Sequence, residues 1–352
     1  MVLRLSNSYF AGGDFGALER FHITMATPAG EMMQRAETKM VRGWIGGTMV
    51  ALALALSAGC GQEVTELATP EGCSEESGTC QARIFLQADE FEFLRRQGAL
   101  VLDARASEAF VQGHVPGAIR VDWKAFAREG FNGLIEDDVE TLERVARGYG
   151  INEDQPVLIY GGGGSAESVS GRVFWTLEYL GHDQVYLLEG GFDSWKQARF
   201  AAIEAGVTEA GAGDFTVELQ PQRRATQQEV EAAIEDETLR LVDTRTIEEW
   251  FAENLRDNPE GGHIPEAVHY HWENVLEADG TLRPAADIRA ELEALGIDEG
   301  TLAIPYCQSG VRSGFFYAVL KWLEYPEPKN YDGSWWEWSR DEATVKVVEA
   351  RD

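Results

Sequence analysis

Short apolar runs alternate along this chain with longer runs in which apolar residues recur at helical spacing. Residues 156–160 and 302–306 have the length and composition of buried strands, and residues 139–149 and 285–295 have the pattern of amphipathic helices. Strands and helices that alternate in this way form βαβ units, in which helices cover both faces of a parallel sheet. The pattern predicts an α/β fold.

One order of motifs occurs twice. Each copy begins with an apolar run that ends in Asp-x-Arg, at Asp103 in the first copy and Asp243 in the second. A Gly-His-x-Pro segment, a second apolar run, a loop, a further predicted strand and a Gly-to-Trp motif follow in the same order. A duplicated pattern indicates two homologous domains. We place them at residues 84–204 and 225–352, joined by a linker at residues 205–224 that contains Gly, Ala and Pro.

The two copies differ in the loop after the second apolar run. Gly161 follows Tyr160 in the first copy, whereas Cys307 follows Tyr306 in the second. A helix predicted to begin near Ser313 places the Cys307 loop at a helix N-terminus, where successive amide groups form an anion nest. Such a site lowers a thiol pKa, so Cys307 is the predicted nucleophile. The alternative is a buried structural thiol. The first domain is therefore predicted to have no nucleophile at this position.

These motifs, in this order and duplicated, resemble the tandem-domain rhodaneses, which include thiosulfate and 3-mercaptopyruvate sulfurtransferases. The resemblance covers residues 84 to 340. It implies two rhodanese-like domains, each a parallel sheet with helices on both faces. It also implies that Cys307 takes a sulfane sulfur from a small donor as a persulfide and passes it to a thiophilic acceptor, such as cyanide or a thiol. This chemistry uses the protein's own thiol, and we expect no cofactor.

We expect the donor to be bound by the cysteine loop and by one arginine upstream of it. The loop residues concerned are Gln308, Ser309, Gly310, Val311 and Arg312. The family places an arginine of the Asp-x-Arg motif near the anionic group of the donor, which makes Arg245 a candidate. The alternative for Arg245 is an ion pair with Asp243 or Glu248. The alternative for Arg312 is that it orients the loop through carbonyl groups or Asp243.

Other motif residues have structural interpretations. His114 and His263 belong to the Gly-His-x-Pro segments, and because the copy without a nucleophile also has one, we expect both to be structural. Asp103 and Asp243 are predicted to hold turns or cap helices. The tryptophans of the last motif are predicted to pack in the core and between the domains; they are Trp335, Trp336 and Trp338.

Two departures from the family pattern concern the mouth of the site. Glu266 stands where the first copy has Gly117, and an acidic, proline-containing insertion occupies residues 252–260. Ser309 leaves the identity of the sulfur donor open, because this position is often basic in thiosulfate-type loops and serine in mercaptopyruvate-type loops. Arg312 adds one cation to the loop. Thiosulfate is the leading donor because of its prevalence in the family, with 3-mercaptopyruvate as the alternative.

Two other functions are consistent with parts of the pattern. Phosphatases built on the same fold have five residues between the cysteine and the arginine, whereas this chain has only residues 308–311 there. A shorter loop makes a tighter nest, which suits a sulfur better than a phosphoryl group. A non-catalytic surface lipoprotein that binds a partner or stores sulfane sulfur is a third hypothesis, and it requires that a persulfide at Cys307 never turns over.

The beginning of the chain has the pattern of an export signal. Basic Lys39 and Arg42 precede an apolar stretch at residues 44–56, and small residues lead into Cys60. This arrangement resembles the lipobox of bacterial lipoproteins, which implies that Cys60 is the lipidated first residue of the mature protein. The alternative is a short membrane-anchoring or buried apolar helix. We therefore exclude residues 1–59 from the fold and expect a periplasmic or cell-envelope lipoprotein.

Residues 60–83 are polar and acidic, as expected of a solvated tether. In an oxidising compartment we expect a local disulfide between Cys73 and Cys80. The alternative is that both tether cysteines are unpaired thiols.

Composition and charge narrow the range of partners. Sixty acidic and thirty basic residues give a formal charge of −30, which repels nucleic acid and anionic lipid. Contact with a membrane is therefore expected only through the lipid anchor, and we expect a monomer. An anionic donor requires a site with its own positive potential. The four cysteines have no zinc-like spacing, so no metal site is predicted.

Overall fold

The computed structural model describes residues 83–199 and 201–351, together with three backbone strands near the beginning of the chain. These strands are β1 (Arg4–Asn7), β2 (Arg20–Thr24) and β3 (Ala36–Lys39). They pair as an antiparallel sheet in the order β1-β2-β3, within a unit that spans Met1–Thr69. The apolar stretch at residues 44–56 lies outside the described residues, as do Cys60, Cys73 and Cys80. The export signal, the lipid anchor and the disulfide stay predictions.

The first repeat folds around a five-stranded parallel sheet with the strand order β4-β8-β7-β5-β6. Its elements in chain order are β4 (Phe85–Leu86), α1 (Ala88–Arg96), β5 (Leu100–Asp103), α2 (Ser107–Gln112), β6 (Ile119–Arg120), α3 (Val139–Gly148), β7 (Val157–Tyr160), α4 (Ser168–Leu180), β8 (Val185–Leu188) and α5 (Gly191–Gln197). The four residues of β7 are fully buried, which explains why this strand is an uninterrupted apolar run.

The second repeat has a three-stranded parallel sheet with the strand order β10-β9-β11. Its elements are α6 (Gln227–Ala233), β9 (Leu239–Asp243), α7 (Ile247–Trp250), β10 (Val268–His269), α8 (Ala285–Ala294), β11 (Leu302–Tyr306), α9 (Arg312–Trp322) and α10 (Ser334–Trp338). The predicted α/β architecture, with a helix-flanked parallel sheet in each half, is confirmed.

The predicted closing strand of the second repeat is not formed as a strand. The segment is extended beside β11, where Lys329 N donates to Ala303 O at 3.1 Å and Tyr331 N donates to Pro305 O at 3.1 Å. On the side away from β11, this segment forms one isolated parallel bridge, between Arg224 and Asn330. Pro305 in β11 has no amide hydrogen, so the pairing is less complete than that of β8 in the first repeat.

The two repeats pack against each other through α4 and α9. The helices approach so closely that a Cβ atom on Gly171 of α4 would lie 2.2 Å from the Cα atom of Phe315 on α9. Tyr317 and Ala318 of α9 belong to the same buried apolar cluster as the core of the first domain. This contact brings α4 of the first domain next to the loop that precedes α9.

The linker also packs on the first domain. Phe215 and Val217 are buried in the core of that domain, and Glu204, the residue just before the linker, pairs with His114 through an isolated antiparallel bridge. In the part of the chain that the structure describes, no helix has both the length and the apolar composition of a membrane span.

Candidate functional site

Three buried side chains, those of Asp243, Arg245 and Tyr306, form a hydrogen-bonded frame at the carboxyl ends of β9 and β11. Arg245 donates to Asp243, with 2.9 Å between Nε and Oδ1 and 2.5 Å between Nη2 and Oδ2. The hydroxyl of Tyr306 donates to Asp243 Oδ2 at 2.8 Å. Burial and the neighbouring Asp243 carboxylate hold the pKa of Tyr306 well above its ordinary value, so the hydroxyl stays a donor. The frame fixes the strand end from which Cys307 follows.

Arg245 and Asp243 have their hydrogen-bond partners within the protein. The Arg245 guanidinium also donates to Gly262 O at 2.6 Å and lies 4.5 Å from the ring centre of Trp335. The ion pair with Asp243, the alternative given for Arg245, is present, and Arg245 is only 1% exposed. Donor binding by Arg245 stays a prediction. Asp243 holds the turn by accepting from the Arg245 amide, but the residue that caps α7 is Thr246.

Cys307 lies in the loop between β11 and α9 and is only 1% exposed. Its thiol is free, and the Ser313 hydroxyl lies 3.6 Å from the sulfur. Burial opposes ionisation, but the cationic Arg312 and hydrogen bonds from the amides of Ser313 and Ser309 together hold the pKa of Cys307 below its ordinary value. The site therefore favours the thiolate, which is the nucleophilic form.

Ser334 is a loop-holding residue that the sequence did not identify. Its hydroxyl accepts from the amide of Cys307 at 3.1 Å and from the amide of Gly310 at 3.0 Å, and it donates to Tyr331 O at 2.7 Å. The expectation that successive loop amides all turn toward one anion is therefore wrong for Cys307 and Gly310. Gly310 has a φ of 71°, which lets the loop turn back toward Ser334.

Arg312 begins α9 and forms a two-pronged ion pair with Glu249. The distances are 2.6 Å between Nη1 and Oε2 and 2.8 Å between Nη2 and Oε1. Burial disfavours the carboxylate, but the hydrogen bonds and charge of Arg312 lower the pKa of Glu249 to about 2. Arg312 is thus oriented by Glu249, a partner that the sequence interpretation did not name.

The remaining predicted loop residues have different surroundings. Gln308 is buried, and its side-chain amide pairs with Asn258 of the insertion. Ser309 is buried, and its carbonyl oxygen accepts a hydrogen bond from Arg172 of the first domain. Val311 is the residue immediately before α9, and its carbonyl oxygen accepts from Phe315 N at 3.3 Å. These loop residues are brought together around Cys307, but their contact with a donor stays a prediction.

The first domain reaches the loop through Arg172 on α4, a second residue that the sequence did not identify. Its guanidinium is fully buried and donates to Ser309 O at 3.2 Å and to Gly133 O at 2.5 Å. Burial lowers the pKa of Arg172 to about 10, against the opposing effects of Asp332 and the Cys307 thiolate. A Cβ atom on Gly133 would lie 2.1 Å from Ser309 O, so the two chain segments are in close contact.

A groove beside this contact is lined by both domains. Its volume is about 480 Å³, and its lining residues include Trp123, Lys124, Arg128, Phe131 and Trp336. The rings of Phe131 and Trp336 are 5.8 Å apart, so each domain contributes one wall. Lys124 and Arg128 supply positive charge, although Arg128 is paired with Asp137. Glu129 also lines the groove, so its charge is mixed.

The corresponding loop of the first domain contains a carboxylate. Glu167 lies six residues after Gly161, as Ser313 lies six residues after Cys307. The Glu167 side chain is buried and accepts from the amides of Gly161 at 3.2 Å and Gly163 at 3.0 Å and from the hydroxyl of Ser170 at 2.6 Å. A Cβ atom on Gly161 would lie 2.9 Å from Glu167 Oε2. The space for a nucleophile at this position is therefore occupied.

The strand-end frame itself is present in the first domain. Arg105 Nη2 lies 2.6 Å from Asp103 Oδ2, and the Tyr160 hydroxyl donates to the same oxygen at 2.5 Å. Asp103 also accepts from the Arg105 amide, so it holds the turn but does not cap α2, which follows Ala106. The inert loop and the cysteine loop thus begin from the same supporting arrangement.

The motif histidines and tryptophans have mainly packing contacts. His114 is buried and stacks on Phe110 at 3.9 Å between ring centres, and His263 stacks on Trp250 at 3.4 Å. Of the three motif tryptophans, Trp335 and Trp338 are buried, whereas Trp336 lines the interdomain groove. Within residues 83–199 and 201–351, no cluster of three or more His, Cys, Asp or Glu side chains has an arrangement that would hold a metal ion.

Comparison with known proteins gives consistent matches over both halves. The family model described as "Rhodanese-like domain" matches residues 87–198 and 226–341. The thiosulfate sulfurtransferase of Pseudomonas aeruginosa is 30% identical over 253 residues, which are 71% of this chain and 91% of that protein. The 3-mercaptopyruvate sulfurtransferase of Escherichia coli is 27% identical over 251 residues, which are 70% of this chain and 88% of that protein.

A solved structure has the same architecture. The crystal structure of YnjE aligns with a TM-score of 0.69 and 23% sequence identity, covering 76% of this chain and 69% of that chain. At this level of identity, the likeness concerns the fold alone.

Proposed function

Because the chain belongs to the rhodanese family, with one rhodanese-like domain in each half, we propose that Cys307 of the second domain is the sulfur carrier of a thiosulfate sulfurtransferase. The protein is a sulfurtransferase by its domains and by its homologues. The observation that carries the assignment of Cys307 is its environment. The buried thiol has the Ser313 hydroxyl 3.6 Å from its sulfur, and the charge of Arg312 together with the amides of Ser313 and Ser309 lowers its pKa against the effect of burial, which favours the nucleophilic thiolate.

The proposed reaction has two displacement steps. The Cys307 thiolate attacks the outer sulfur of thiosulfate, the S–S bond of the donor breaks, and its electron pair leaves with sulfite. Cys307 then carries an anionic persulfide, whose charge occupies the same hydrogen-bonding environment as the thiolate. An acceptor such as cyanide attacks the outer sulfur, forms thiocyanate and returns the electron pair to Cys307 as a thiolate. Charge and atoms balance in both steps without an external oxidant, reductant or cofactor.

The other loop residues have supporting roles in this proposal. Arg312, at the start of α9, acts on the thiolate itself through its positive charge. Ser309 places a hydroxyl, not a cation, two positions after the cysteine. For this reason 3-mercaptopyruvate is the alternative donor. In that case the carbon–sulfur bond breaks, and the leaving enolate takes up a proton to become pyruvate.

We also propose that the protein is an exported, monomeric lipoprotein anchored through Cys60. The support is the order of basic residues, apolar stretch, small residues and cysteine at residues 39–60. The test is mass spectrometry of the N-terminal peptide after expression in a bacterial host, with Cys60→Ala as the comparison. A diacylglycerol-modified Cys60 supports the proposal. An unmodified, unprocessed N-terminus in membrane-free protein contradicts it.

The experiment for the enzymatic proposal measures thiocyanate formation by the purified full-length protein with thiosulfate or 3-mercaptopyruvate as donor. Cys307→Ser should abolish transfer, whereas Cys80→Ser, a matched substitution in the tether, should leave it unchanged. Mass spectrometry of the protein after donor addition should show one additional sulfur on Cys307. The donor with the higher kcat/KM identifies the enzyme. Transfer that survives in Cys307→Ser would show that another group carries the sulfur.

A further inference from the structure

The insertion at residues 252–260 has one buried side chain, that of Asn258. It is 6% exposed, whereas Asp257 and Pro259 on either side of it are exposed. Arg256 and Asp257 have φ angles of 47° and 61°, in the left-handed region that non-glycine residues rarely adopt. Such conformations persist where the surrounding contacts hold them. The insertion therefore turns in a specific way that points Asn258 into the protein.

Asn258 meets the residue that follows the proposed nucleophile. Its Nδ2 donates to Gln308 Oε1 at 2.9 Å, and Gln308 Nε2 donates to Asn258 Oδ1 at 3.0 Å. Both side chains are buried, so each amide satisfies the other where water has little access. A reciprocal amide pair of this kind fixes the position of the Gln308 side chain.

Two further contacts determine which way the Asn258 amide faces. Arg340 Nη1 donates to Asn258 Oδ1 at 2.8 Å, and a guanidinium has donors only. Nδ2 of Asn258 donates to Leu255 O at 2.7 Å, and a carbonyl oxygen only accepts. The side-chain amide of Asn258 therefore has one orientation, because exchanging its oxygen and nitrogen would break both contacts. The Gln308 amide that pairs with it is oriented in turn.

The main chain of the cysteine loop is held on its other side by α10. Trp335 N donates to Cys307 O at 3.0 Å, and Trp336 N donates to Gln308 O at 3.1 Å. Gln308 directly follows Cys307, whose sulfur lies 3.6 Å from the Ser313 hydroxyl. With the main chain held by α10 and the Gln308 side chain fixed by Asn258, movement of the loop that would take the sulfur away from Ser313 is restricted.

From these contacts we infer that Asn258 is a positioning residue, which acts through Gln308 to hold the cysteine loop so that the Cys307 sulfur lies beside the Ser313 hydroxyl. The inference deepens the proposed function and rests on it where turnover is concerned. It assigns the insertion a role in the second domain that has no counterpart in the first repeat, where Gly162 stands at the position of Gln308.

The test combines thiol reactivity with a double-mutant cycle in the full-length protein. The variants are Asn258→Ala, Gln308→Ala and the double variant, and the control is Glu253→Ala, an exposed residue of the same insertion that pairs with Arg351. The rate of Cys307 alkylation by iodoacetamide, followed by peptide mass spectrometry as a function of pH, gives the thiol pKa without any donor. Sulfur transfer to cyanide gives kcat and KM.

We expect Asn258→Ala to raise the pKa of Cys307 and to lower kcat by about tenfold, the effect of losing one or two buried hydrogen bonds. The donor KM should change little. Gln308→Ala should have the same effect, and the double variant should be no worse than Gln308→Ala alone, because both substitutions break one connection. Glu253→Ala should match the wild type. The charged groups that act on the thiolate, Arg312 and Arg172, are unchanged in every variant.

Three results would overturn the inference: a wild-type thiol pKa in folded Asn258→Ala, additive effects of the two substitutions, or an equal effect of Glu253→Ala. If Asn258→Ala does not fold, Gln308→Ala decides, and an unchanged thiol pKa in that variant rejects the inference. The alkylation measurement separates this question from the proposed function. A wild type that transfers no sulfur but shows the pKa shift in the variants would reject the function and keep the positioning role.

Discussion

Glu249 holds Arg312 at the start of α9 by two hydrogen bonds, 2.6 Å between Oε2 and Nη1 and 2.8 Å between Oε1 and Nη2. The side chain of Glu249 is 1% exposed and that of Arg312 is 14% exposed, so the pair is shielded from most of the solvent. Glu249 is itself part of a capping box with Thr246 at the start of α7. The charge that favours the Cys307 thiolate is thus fixed to the helix that follows β9.

Removing the charge of Arg312 should move the thiol reactivity of Cys307 to higher pH. The wild-type pKa is below the ordinary thiol value, so alkylation should rise with pH and level off earlier than for a free cysteine. In Arg312→Met, combined with Glu249→Gln to avoid a buried unpaired carboxylate, the rising limb should shift upward by about one pH unit. Alkylation of Cys307 between pH 5 and 10 measures this shift. An unchanged profile would show that amide hydrogen bonds alone set the thiol pKa.

The same ion pair predicts a specific acid dependence of stability. Because the pKa of folded Glu249 is lowered to about 2 from an ordinary value of 4.5, its stabilising contribution is present above pH 4.5 and is lost as the pH falls toward 2. Glu249→Gln should therefore flatten the fall in unfolding free energy over this range. Urea unfolding at several pH values measures the slope. Glu253→Gln on the exposed insertion is the control, and an equal flattening in that variant would contradict the prediction.

Arg172 should be needed for the contact between the first domain and the cysteine loop. Arg172→Met leaves the carbonyl oxygens of Ser309 and Gly133 without this donor, and Arg172→Lys cannot bridge them in the same way. We expect both variants to lower the unfolding free energy by about 1–3 kcal/mol. We also expect kcat to fall in both, with Arg172→Lys less affected because it keeps a positive charge. Thermal unfolding and steady-state transfer assays measure the two effects. Wild-type kcat in folded Arg172→Met would show that the first domain does not assist the loop.

Glu266 should be a position where glycine stabilises the protein. Its φ angle is 60°, and the equivalent Gly117 in the first copy has a φ angle of 77°. A non-glycine residue in this region costs about 1 kcal/mol, so Glu266→Gly should raise the unfolding free energy by about that amount. Glu266→Ala keeps the strained backbone and removes only the carboxylate. A gain in Glu266→Ala equal to that in Glu266→Gly would assign the effect to charge, not to the backbone.

Glu167 should stabilise the first domain without contributing to sulfur chemistry. Glu167→Ala leaves the buried amides of Gly161 and Gly163 without their acceptor, at a cost of about 1–3 kcal/mol for each group. We expect a lower unfolding free energy but an unchanged thiol pKa of Cys307. Chemical denaturation and alkylation of Cys307 measure the two quantities. Slower alkylation in the folded variant would show that the inert loop influences the other domain.

The local elements were predictable because their signals lie in short stretches of sequence. The predicted helix at residues 285–295 is α8, Ala285–Ala294, and the predicted strand at residues 302–306 is β11, Leu302–Tyr306. The repeat also predicted that there are two domains and placed Cys307 directly after a strand. These features depend on hydrophobic periodicity and on the comparison of one copy with the other.

The contacts that complete the site were not predictable in the same way, because they join residues far apart in the chain. Ser334 is 27 residues from Cys307, Asn258 is 50 residues from Gln308, and Arg172 is 137 residues from Ser309. Serine, asparagine and arginine are common on protein surfaces, so their sequence neighbours do not reveal that these three are buried. Only the packing of α4, α10 and the insertion around the loop identifies them.

The strand-end frame of aspartate, arginine and tyrosine occurs with nearly the same hydrogen bonds in the domain that has Cys307 and in the domain that has Gly161. If the frame existed only for catalysis, the copy without a nucleophile would have had no reason to retain it after the duplication. Because both repeats have the frame, we interpret it as a requirement for folding. The loop is the part in which the two copies differ in chemistry: the second has the thiol of Cys307, whereas the first has Gly161, with the carboxylate of Glu167 filling the space beside it.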